Sequence, residues 1–502
     1  MSATTAQPAG SVQRELELVA ATVGHLDEVY MAGEWIAGDG GTYDVVSPST
    51  EEVIASVSLP SLAQADRAIQ LAHDLGQQSW SRVPVAERVE AVRRFCVAME
   101  ARFSQIAVAW ALEAGAPVRY SKTLHRYAAA GAWQTALDCA VEALADVRRA
   151  TPLGEVIVRR EPVGVVVGVM AYNGPVVTVA SKVIPALLAG CPVVVKAAPE
   201  SQLVMRLLAD CADEAGFPAG TLTLFAGDID LGRRLTAHEQ TDLVSLTGGT
   251  RAAQEIIDAT RNRFARTHLE LGGKSPALIL EDAPVAETLR TLVAGATGGT
   301  GQLCALLSRI LIPRSQWDEW LGALTEAWSK INVGDPLAPE TLVGPLANAA
   351  ARDRTESFVA TARTEGATVA SGGRRPPDLP TGYYYEPTLL VDVHRDSTLA
   401  TTEVFGPATA VITYDDLDDG IALANATTYG LAASVYTADR EKAWYCAERI
   451  ESGSVALNAW GPSVAAPYGG RKHSGWGREG GPEGIHEFTE LKQILLGPGL
   501  AN

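Results

Sequence analysis

Three side chains of complementary chemistry stand out in this sequence of 502 residues. Cys304 closes the run Gly301-Gln302-Leu303-Cys304, Glu270 opens the earlier run Glu270-Leu271-Gly272-Gly273-Lys274, and Asn173 sits in Ala171-Tyr172-Asn173-Gly174-Pro175 after an apolar run. A thiol attacks carbonyl carbon without a dedicated base, a carboxylate can activate water, and a side-chain amide can donate to an oxyanion. Together they are the parts of acyl chemistry through a covalent cysteine intermediate. A cysteine by itself is most often inert core. The other five, Cys96, Cys139, Cys191, Cys211 and Cys446, lie in apolar helical or strand patterns and read that way.

A second set of residues bears on nucleotide binding. The glycine pattern GxGxxG is absent, and its nearest substitute is Leu246-Thr247-Gly248-Gly249-Thr250-Arg251, between an apolar run and a helical pattern. Paired glycines there let backbone N–H groups approach a pyrophosphate at a helix N-terminus, and they serve a tight turn equally well. Gly273-Lys274-Ser275 ends like a phosphate-binding loop, but His268 stands where that loop needs its first glycine, so the P-loop reading fails. The eight histidines are scattered without a metal-ligand spacing, and no metal is expected.

Composition bounds the partners. With 41 basic and 59 acidic residues the net charge is −18, which argues against nucleic acid or an anionic membrane surface. Hydrophobic residues make up 47% and charged residues 20%, ordinary values for a large soluble protein that needs no disulfide to hold it together. The six dispersed cysteines, without a CxxC pair, suit a reducing compartment. No basic segment followed by an apolar one opens the chain, and the longest apolar stretch, Val163 to Ala171, is too short to span a bilayer. A cytoplasmic protein without a membrane partner is expected.

The elements that must position these residues follow from periodicity. Residues 1–60 read as a polar tail followed by short strands around Val29–Trp35 and Val53–Val57. The series Val85, Val89, Val92, Cys96, Met99, Phe103, Ile106, Trp110 puts one stripe on a single long helix. Apolar β-branched runs then recur at Val163–Val169, Val193–Val195, Leu222–Phe225 and Leu243–Leu246, with helical patterns at Val176–Leu188, Ser201–Ala215 and Arg251–Thr260 between them. Such strands joined by crossover helices form a parallel sheet covered on both faces. A second alternation has strands at Ala277–Leu280, Ile310–Ile312 and Ala410–Thr413, with helices at Ala286–Ala296 and Arg352–Glu365. Ala305–Ser308 reads as helical, 467–484 as too glycine-rich for a regular element, and Phe488–Leu496 as a late strand that adds to another sheet. The expected fold class is α/β, with two open parallel α/β halves meeting near Gly272-Gly273 and a cleft between them.

The chain resembles the aldehyde dehydrogenase superfamily from about residue 29 to 497. The blocks that carry the resemblance are Glu161-Pro162-Val163-Gly164, Tyr172-Asn173, Val193–Lys196, Thr247–Gly249, Glu270–Lys274, Gly301–Cys304, Glu403-Val404-Phe405-Gly406-Pro407, Tyr429-Gly430-Leu431 and Pro467–Glu479, in one order. The resemblance implies that Cys304 is a nucleophile forming a thiohemiacetal and then a thioester, and that the Asn173 amide and the Cys304 N–H are the oxyanion hole. It implies that Glu270 activates water for hydrolysis to the acid, with Lys182 nearby. It places Lys196 and Glu403 at the two riboses of a dinucleotide, Phe405 beside its nicotinamide, and Gly248-Gly249 at its pyrophosphate. The implied organisation is a Rossmann-like cofactor domain (1–142 and 161–271), a catalytic domain (272–485) and a small β oligomerisation element (143–160 and 486–502), assembled as a homodimer or homotetramer.

Two departures from the family pattern matter. Members restricted to NAD often carry a carboxylate three residues after the lysine; here Pro199 stands there and Glu200 follows one position later. Arg251 could favour a 2′-phosphate, so NAD is expected and NADP stays open. Where many members have aromatic rings, this chain aligns Gly174, Ser181 and Gly298, which predicts a widened pocket for bulky or hydrophobic aldehydes, lined by Thr178, Leu303, Trp460 and Tyr468. A coenzyme-A-acylating dehydrogenase is disfavoured by Glu270. A non-catalytic relative acting as a binding protein is disfavoured by the retention of Cys304, Glu270 and Asn173, and a cysteine hydrolase by the lack of a His–Asp pairing around Cys304.

Overall fold

A computed structural model describes residues 11–152, 154–461, 463–497 and Leu500. The first ten residues of the expected polar tail, and parts of the expected oligomerisation element at Leu153 and near the C-terminus, lie outside the described residues. Two α/β sheets account for most of the chain. In the first, five parallel strands run in the spatial order Leu222–Ala226, Val193–Ala197, Val166–Met170, Leu243–Thr247, Arg266–Glu270. The hairpin Glu28–Met31 and Glu34–Ala37 extends one edge antiparallel, and the two-residue strand Gly475–Trp476 closes the other. The strand order reverses between Val166–Met170 and Leu243–Thr247. At such a switch point the following loops diverge and open a crevice beyond the strands' carboxyl ends.

The second sheet has seven strands, in the order Thr368–Ser371, Thr388–Val391, Ala408–Tyr414, Leu307–Pro313, Ser275–Ile279, Ala432–Tyr436, Ser454–Leu457, all parallel except the first. Its central strands are buried along their whole length, as their unbroken apolar runs require. The fold class is therefore the expected one, two largely parallel α/β sheets. A separate antiparallel sheet joins Val147–Thr151, Gly154–Pro162 and Thr489–Leu496.

The chain crosses from the first sheet to the second directly, from Glu270 at the end of one strand to Ser275 at the start of the next. The carboxyl ends of the first sheet's strands thus face the amino ends of the second's. Arg309 locks that crossing. Its buried guanidinium donates to the carbonyls of Lys274 (2.9 Å), Leu423 (2.9 Å) and Ala424 (2.7 Å).

Several local expectations are corrected. Residues Ser11–Thr22 of the expected tail form a helix. The stripe of residues 85–110 is buried as read, but it is carried by two helices, Val85–Ala101 and Phe103–Ala114, bent by 65° at Arg102. At 1.5 Å per residue a straight helix would carry its end beyond the core, and the bend returns Phe103, Ile106 and Trp110 to it. Ala305–Ser308 is not helical: a turn leads straight into the strand Leu307–Pro313. The glycine-rich 467–484 segment holds two short strands and the start of the helix Gly481–His486.

Among the described residues no single helix is long and apolar enough to cross a membrane, and no group of three or more His, Cys, Asp or Glu side chains could hold a metal ion. Replacing Arg309 with leucine strands three buried carbonyls and is expected to destabilise the fold by roughly 3 kcal/mol or more. A denaturant midpoint unchanged in that variant would contradict the assignment.

Candidate active site

Cys304 lies on the turn before Leu307–Pro313, where two cavities meet. One is lined by Tyr172, Asn173, Gly248, Gly249, Glu270, Arg354, Glu403 and Phe405. The other, of about 340 Å³, runs among Tyr120, His125, Thr178, Ser181, Leu303 and Trp460. Cys304, Asn173, Thr247 and Glu270 border both. Gly273 permits this placement, because a Cβ there would stand 2.5 Å from the Cys304 carbonyl oxygen.

The cysteine turn is tied to the first sheet through Gln302. The Asn173 amide donates to the Gln302 carbonyl (2.9 Å), and the Tyr172 hydroxyl (3.0 Å) and Ala347 N–H (3.2 Å) reach the Gln302 side-chain oxygen. One Asn173 amide hydrogen is used in this bond, and an NH₂ group keeps a second for an oxyanion. The Cys304 thiol stands 3.7 Å from the Tyr468 hydroxyl. Burial pushes the thiol's pKa up to about 12, the Tyr468 contact opposes this, and the Glu403, Glu270 and Glu479 carboxylates add to it. The resting nucleophile is therefore the thiol.

Glu270 is buried, and neither of its carboxylate oxygens has a hydrogen-bond partner. Burial holds its pKa well above the usual carboxylate range, Glu479 adds to this, and Lys182 and Arg478 oppose it. Lys182 is no surface residue. It lies in a π-helical turn, Val179–Val183, inside the helical stretch that follows Asn173, and such a turn often marks a functional position. Its ammonium pairs with Glu479 at 2.7 Å and donates to Ser245 Oγ (3.2 Å) and the Leu246 carbonyl (3.3 Å). Glu479 and Tyr468 are set opposite each other by an antiparallel bridge across the glycine-rich loop. The sequence pattern gave no sign of that pairing.

On the other side of Cys304, Gly249 caps the helix Thr250–Thr260, and its Cβ position is open space, so a ligand can reach the backbone there. The Glu403 carboxylate accepts from the Gly273 N–H (3.0 Å), and the Phe405 ring stands edge-on to Tyr172. Arg354, which sequence reasoning missed, holds this loop by donating to the carbonyls of Val404 and Phe405. Lys196 ends its strand buried, outside the lining of this cavity; burial lowers its pKa, and Glu200 and Asp228 oppose that. The Glu200 carboxylate accepts from Asn348 at 2.7 Å. Arg251 is 86% exposed and paired with Glu255.

Of the residues expected to line the second cavity, Gly174, Thr178, Ser181, Leu303, Trp460 and Tyr468 do so. Gly298 does not. It lies behind the lining, where a Cβ would stand 3.1 Å from the Trp460 ring and 3.2 Å from Leu303, so its small size gives room to those two side chains. The rings missing from the aligned positions are partly replaced by Tyr120, His125 and Tyr127, from a segment that sequence pattern did not connect to the site. His125 reaches to 3.7 Å from the position a Gly174 Cβ would take.

Comparison with known proteins agrees with this geometry. Residues 35–494 match the aldehyde dehydrogenase family. The chain is 35% identical to geranial dehydrogenase of Castellaniella defragrans over 478 residues, 95% of this chain and 99% of that one. Among solved structures, it is similar to an aldehyde dehydrogenase of Mycobacterium tuberculosis complexed with NAD+, with a TM-score of 0.92 and 35% identity over 94% of this chain and 98% of that one. A mutant of aldehyde dehydrogenase C from Pseudomonas syringae, complexed with NAD+ and octanal, gives a TM-score of 0.90 and 34% identity over 94% and 97% of the two chains. Since Gly273 sets the approach of the cysteine turn, Gly273→Ala is expected to lower kcat by at least about tenfold, the cost of a small misplacement at a reacting centre. A variant that folds and keeps its full kcat would remove Gly273 from that role.

Proposed function

The chain belongs to the aldehyde dehydrogenase family and oxidises aldehydes, and on that premise we propose that it uses NAD to convert an uncharged, bulky or hydrophobic aldehyde into its carboxylic acid. One observation carries this reading: Cys304, Asn173 and Glu270 stand together at the junction of an apolar cavity and a cleft that ends at a bare helix N-terminus. Cys304 Sγ bonds to the carbonyl carbon as its thiol proton leaves to water in the cleft and the carbonyl π pair moves onto oxygen. The second amide hydrogen of Asn173 and the Cys304 N–H receive the oxyanion, where one such donor is typically worth about 3 kcal/mol of barrier. Glu270 then takes a proton from the water that attacks the acyl group on Cys304, and the thiolate leaves.

The cleft fits a dinucleotide. Gly248 and Gly249 would hold the diphosphate, the Glu403 carboxylate a ribose, Phe405 the nicotinamide, and Lys196 the far ribose. When bound, the dinucleotide supplies the hydride acceptor. The exposed, paired Arg251 offers little to a 2′-phosphate, which supports NAD over NADP. The M. tuberculosis and P. syringae neighbours were crystallised with NAD+. Among the described residues that line the apolar cavity, charged side chains are confined to Glu270 and Glu479 at its Cys304 end, so a substrate carboxylate would meet no cation among them. The names of two relatives point the same way, since geranial and octanal are both apolar aldehydes.

For assembly, we infer a homodimer or homotetramer through the antiparallel sheet, whose outer strands Val147–Thr151 and Thr489–Leu496 expose Val147, Leu491 and Leu495. The organisation follows from these roles: residues 1–142 and 161–271 as cofactor domain, 272–485 as catalytic domain, with Gly475–Trp476 lent to the first sheet. The six free cysteines suit a cytoplasmic location.

Two experiments test the reading. Glu270→Gln is expected to retain a first burst of NADH and to lose about 10²–10⁴-fold in steady-state turnover, whereas Cys304→Ala shows no burst. Full turnover in either variant would sink the assignment. In a panel of aldehydes with NAD and NADP, apolar branched substrates should exceed carboxylate-bearing semialdehydes by at least about tenfold in kcat/KM. A semialdehyde ranking first, or equal rates with NADP, would overturn the substrate or cofactor choice respectively.

A further inference from the structure

His268 is a buried titratable group that the steps above leave unused. It lies two residues before Glu270 on the same strand, so both side chains emerge on one face. The ring is fixed on its flanks. Gly477 packs so closely that any side chain there would strike the imidazole, and Phe488 stands edge-on at 6.1 Å. Nδ1 lies 3.0 Å from Ser245 Oγ on the neighbouring strand, directly across in register. Nε2 lies 3.5 Å from Glu270 Oε1. Neither of those last two atoms has a hydrogen-bond partner in the structure.

The direction of the protons follows from the partners. Lys182 carries three hydrogens and faces three acceptors, Glu479, Ser245 Oγ and the Leu246 carbonyl. Ser245 Oγ therefore accepts from the ammonium. Its own hydrogen then has one acceptor in reach, His268 Nδ1. A neutral ring with Nδ1 as acceptor carries its proton on Nε2, the nitrogen that faces Glu270. Burial and the positive charges of Lys182, Arg266 and Arg478 keep the imidazole neutral. Lys182 makes its ion pair with Glu479, acts on Glu270 through its charge, and is linked by hydrogen bonds to Ser245 and through it to His268.

We propose that His268 is a positioning residue for the water-activating step: with its tautomer set by Lys182 and Ser245, it presents an Nε2 proton to Glu270 and holds the carboxylate in its ionised, water-accepting form. The proposal rests on the reading of Glu270 as the base. The 3.5 Å contact does not have hydrogen-bond geometry in this structure, so the Glu270 carboxylate must close on the fixed ring when it ionises. The groups that face this pair are Lys182 from the helical stretch after Asn173, Ser245 from the adjacent strand, Arg266 from its own strand, and Arg478, Glu479 and Glu487 from the C-terminal loop. The cationic members favour the ionised base and the two glutamates oppose it, so a donor aimed directly at the carboxylate has a defined task.

The test compares His268→Asn with His268→Gln in the full-length enzyme. The asparagine can replace Nδ1 towards Ser245 but not the donor towards Glu270. The glutamine amide reaches the Nε2 position. A lost hydrogen bond to the ionised form favours the neutral form, so the base titrates at higher pH. His268→Asn should keep the NADH burst, lose about tenfold in steady-state turnover, and move the midpoint of the pH–kcat profile up by about one unit, with His268→Gln recovering most of both. Equal pH midpoints in the two variants, or loss of the burst together with a lowered melting temperature in both, would overturn the proposal. Glu270→Gln serves as the separate arm: if it turns over normally, the reading of Glu270 fails, whatever the His268 variants do.

Discussion

A carboxylate taken out of water costs several kcal/mol unless its surroundings offer charge or hydrogen bonds in return, and Glu270 is such a group. It cannot be moved to the surface, because it ends the last parallel strand of the first sheet and begins the passage to the second. What surrounds it is the response to that cost. Lys182, turned inward by a π-helical turn, and Arg478 offset it, whereas Glu479, brought in by the glycine-rich loop, adds to it while pairing with Lys182. The result is a buried carboxylate whose pKa is held well above the ordinary range, in keeping with the proposed role of taking a proton from water.

The same crossing dictates how near the nucleophile can come. The backbone at Gly272 and Gly273 runs between the Glu403 carboxylate and the Cys304 carbonyl, and a side chain at either position would collide. Arg309 clamps the carbonyl that follows, so the passage has little freedom. Gln302 and Asn173 tie the cysteine turn to the opposite sheet. Cys304, Glu270 and Asn173 are thus held in place by close backbone packing and by side-chain hydrogen bonds to backbone carbonyls from two sheets. Their mutual geometry does not depend on flexible side chains finding one another.

The two cavities differ in kind because their walls come from different elements. The dinucleotide side is formed by strand ends and a helix N-terminus, where backbone N–H groups are exposed by construction. The aldehyde side is walled by helix faces and the C-terminal loop, which present side chains, most of them apolar. In the proposed mode, an acidic protein of net charge −18 accepts an anionic dinucleotide through local attraction, from N–H dipoles at the helix N-terminus, and not through the molecule's overall field.

The sequence by itself determined the two α/β halves, the strands read at Val193–Val195 and Leu243–Leu246, which the structure extends to Ala197 and Thr247, and the trio Cys304, Glu270 and Asn173. Unbroken apolar runs and strand-end motifs are local signals that survive without a partner in view. It also exposed the small residues at Gly174 and Ser181, but not what stands opposite them, since Tyr120, His125 and Tyr127 come from a helical segment distant in the chain. Lys182 was placed near the site by the family resemblance alone, because periodicity of 3.6 cannot reveal a π turn that shifts the face by one position. The bend at Arg102 and the turn that stands in place of a helix at Ala305–Ser308 were likewise decided by packing. His268 and Ser245 were silent in the sequence for a related reason. Their meaning lies in the register of two parallel strands, and which strands become neighbours is settled only when the whole sheet forms.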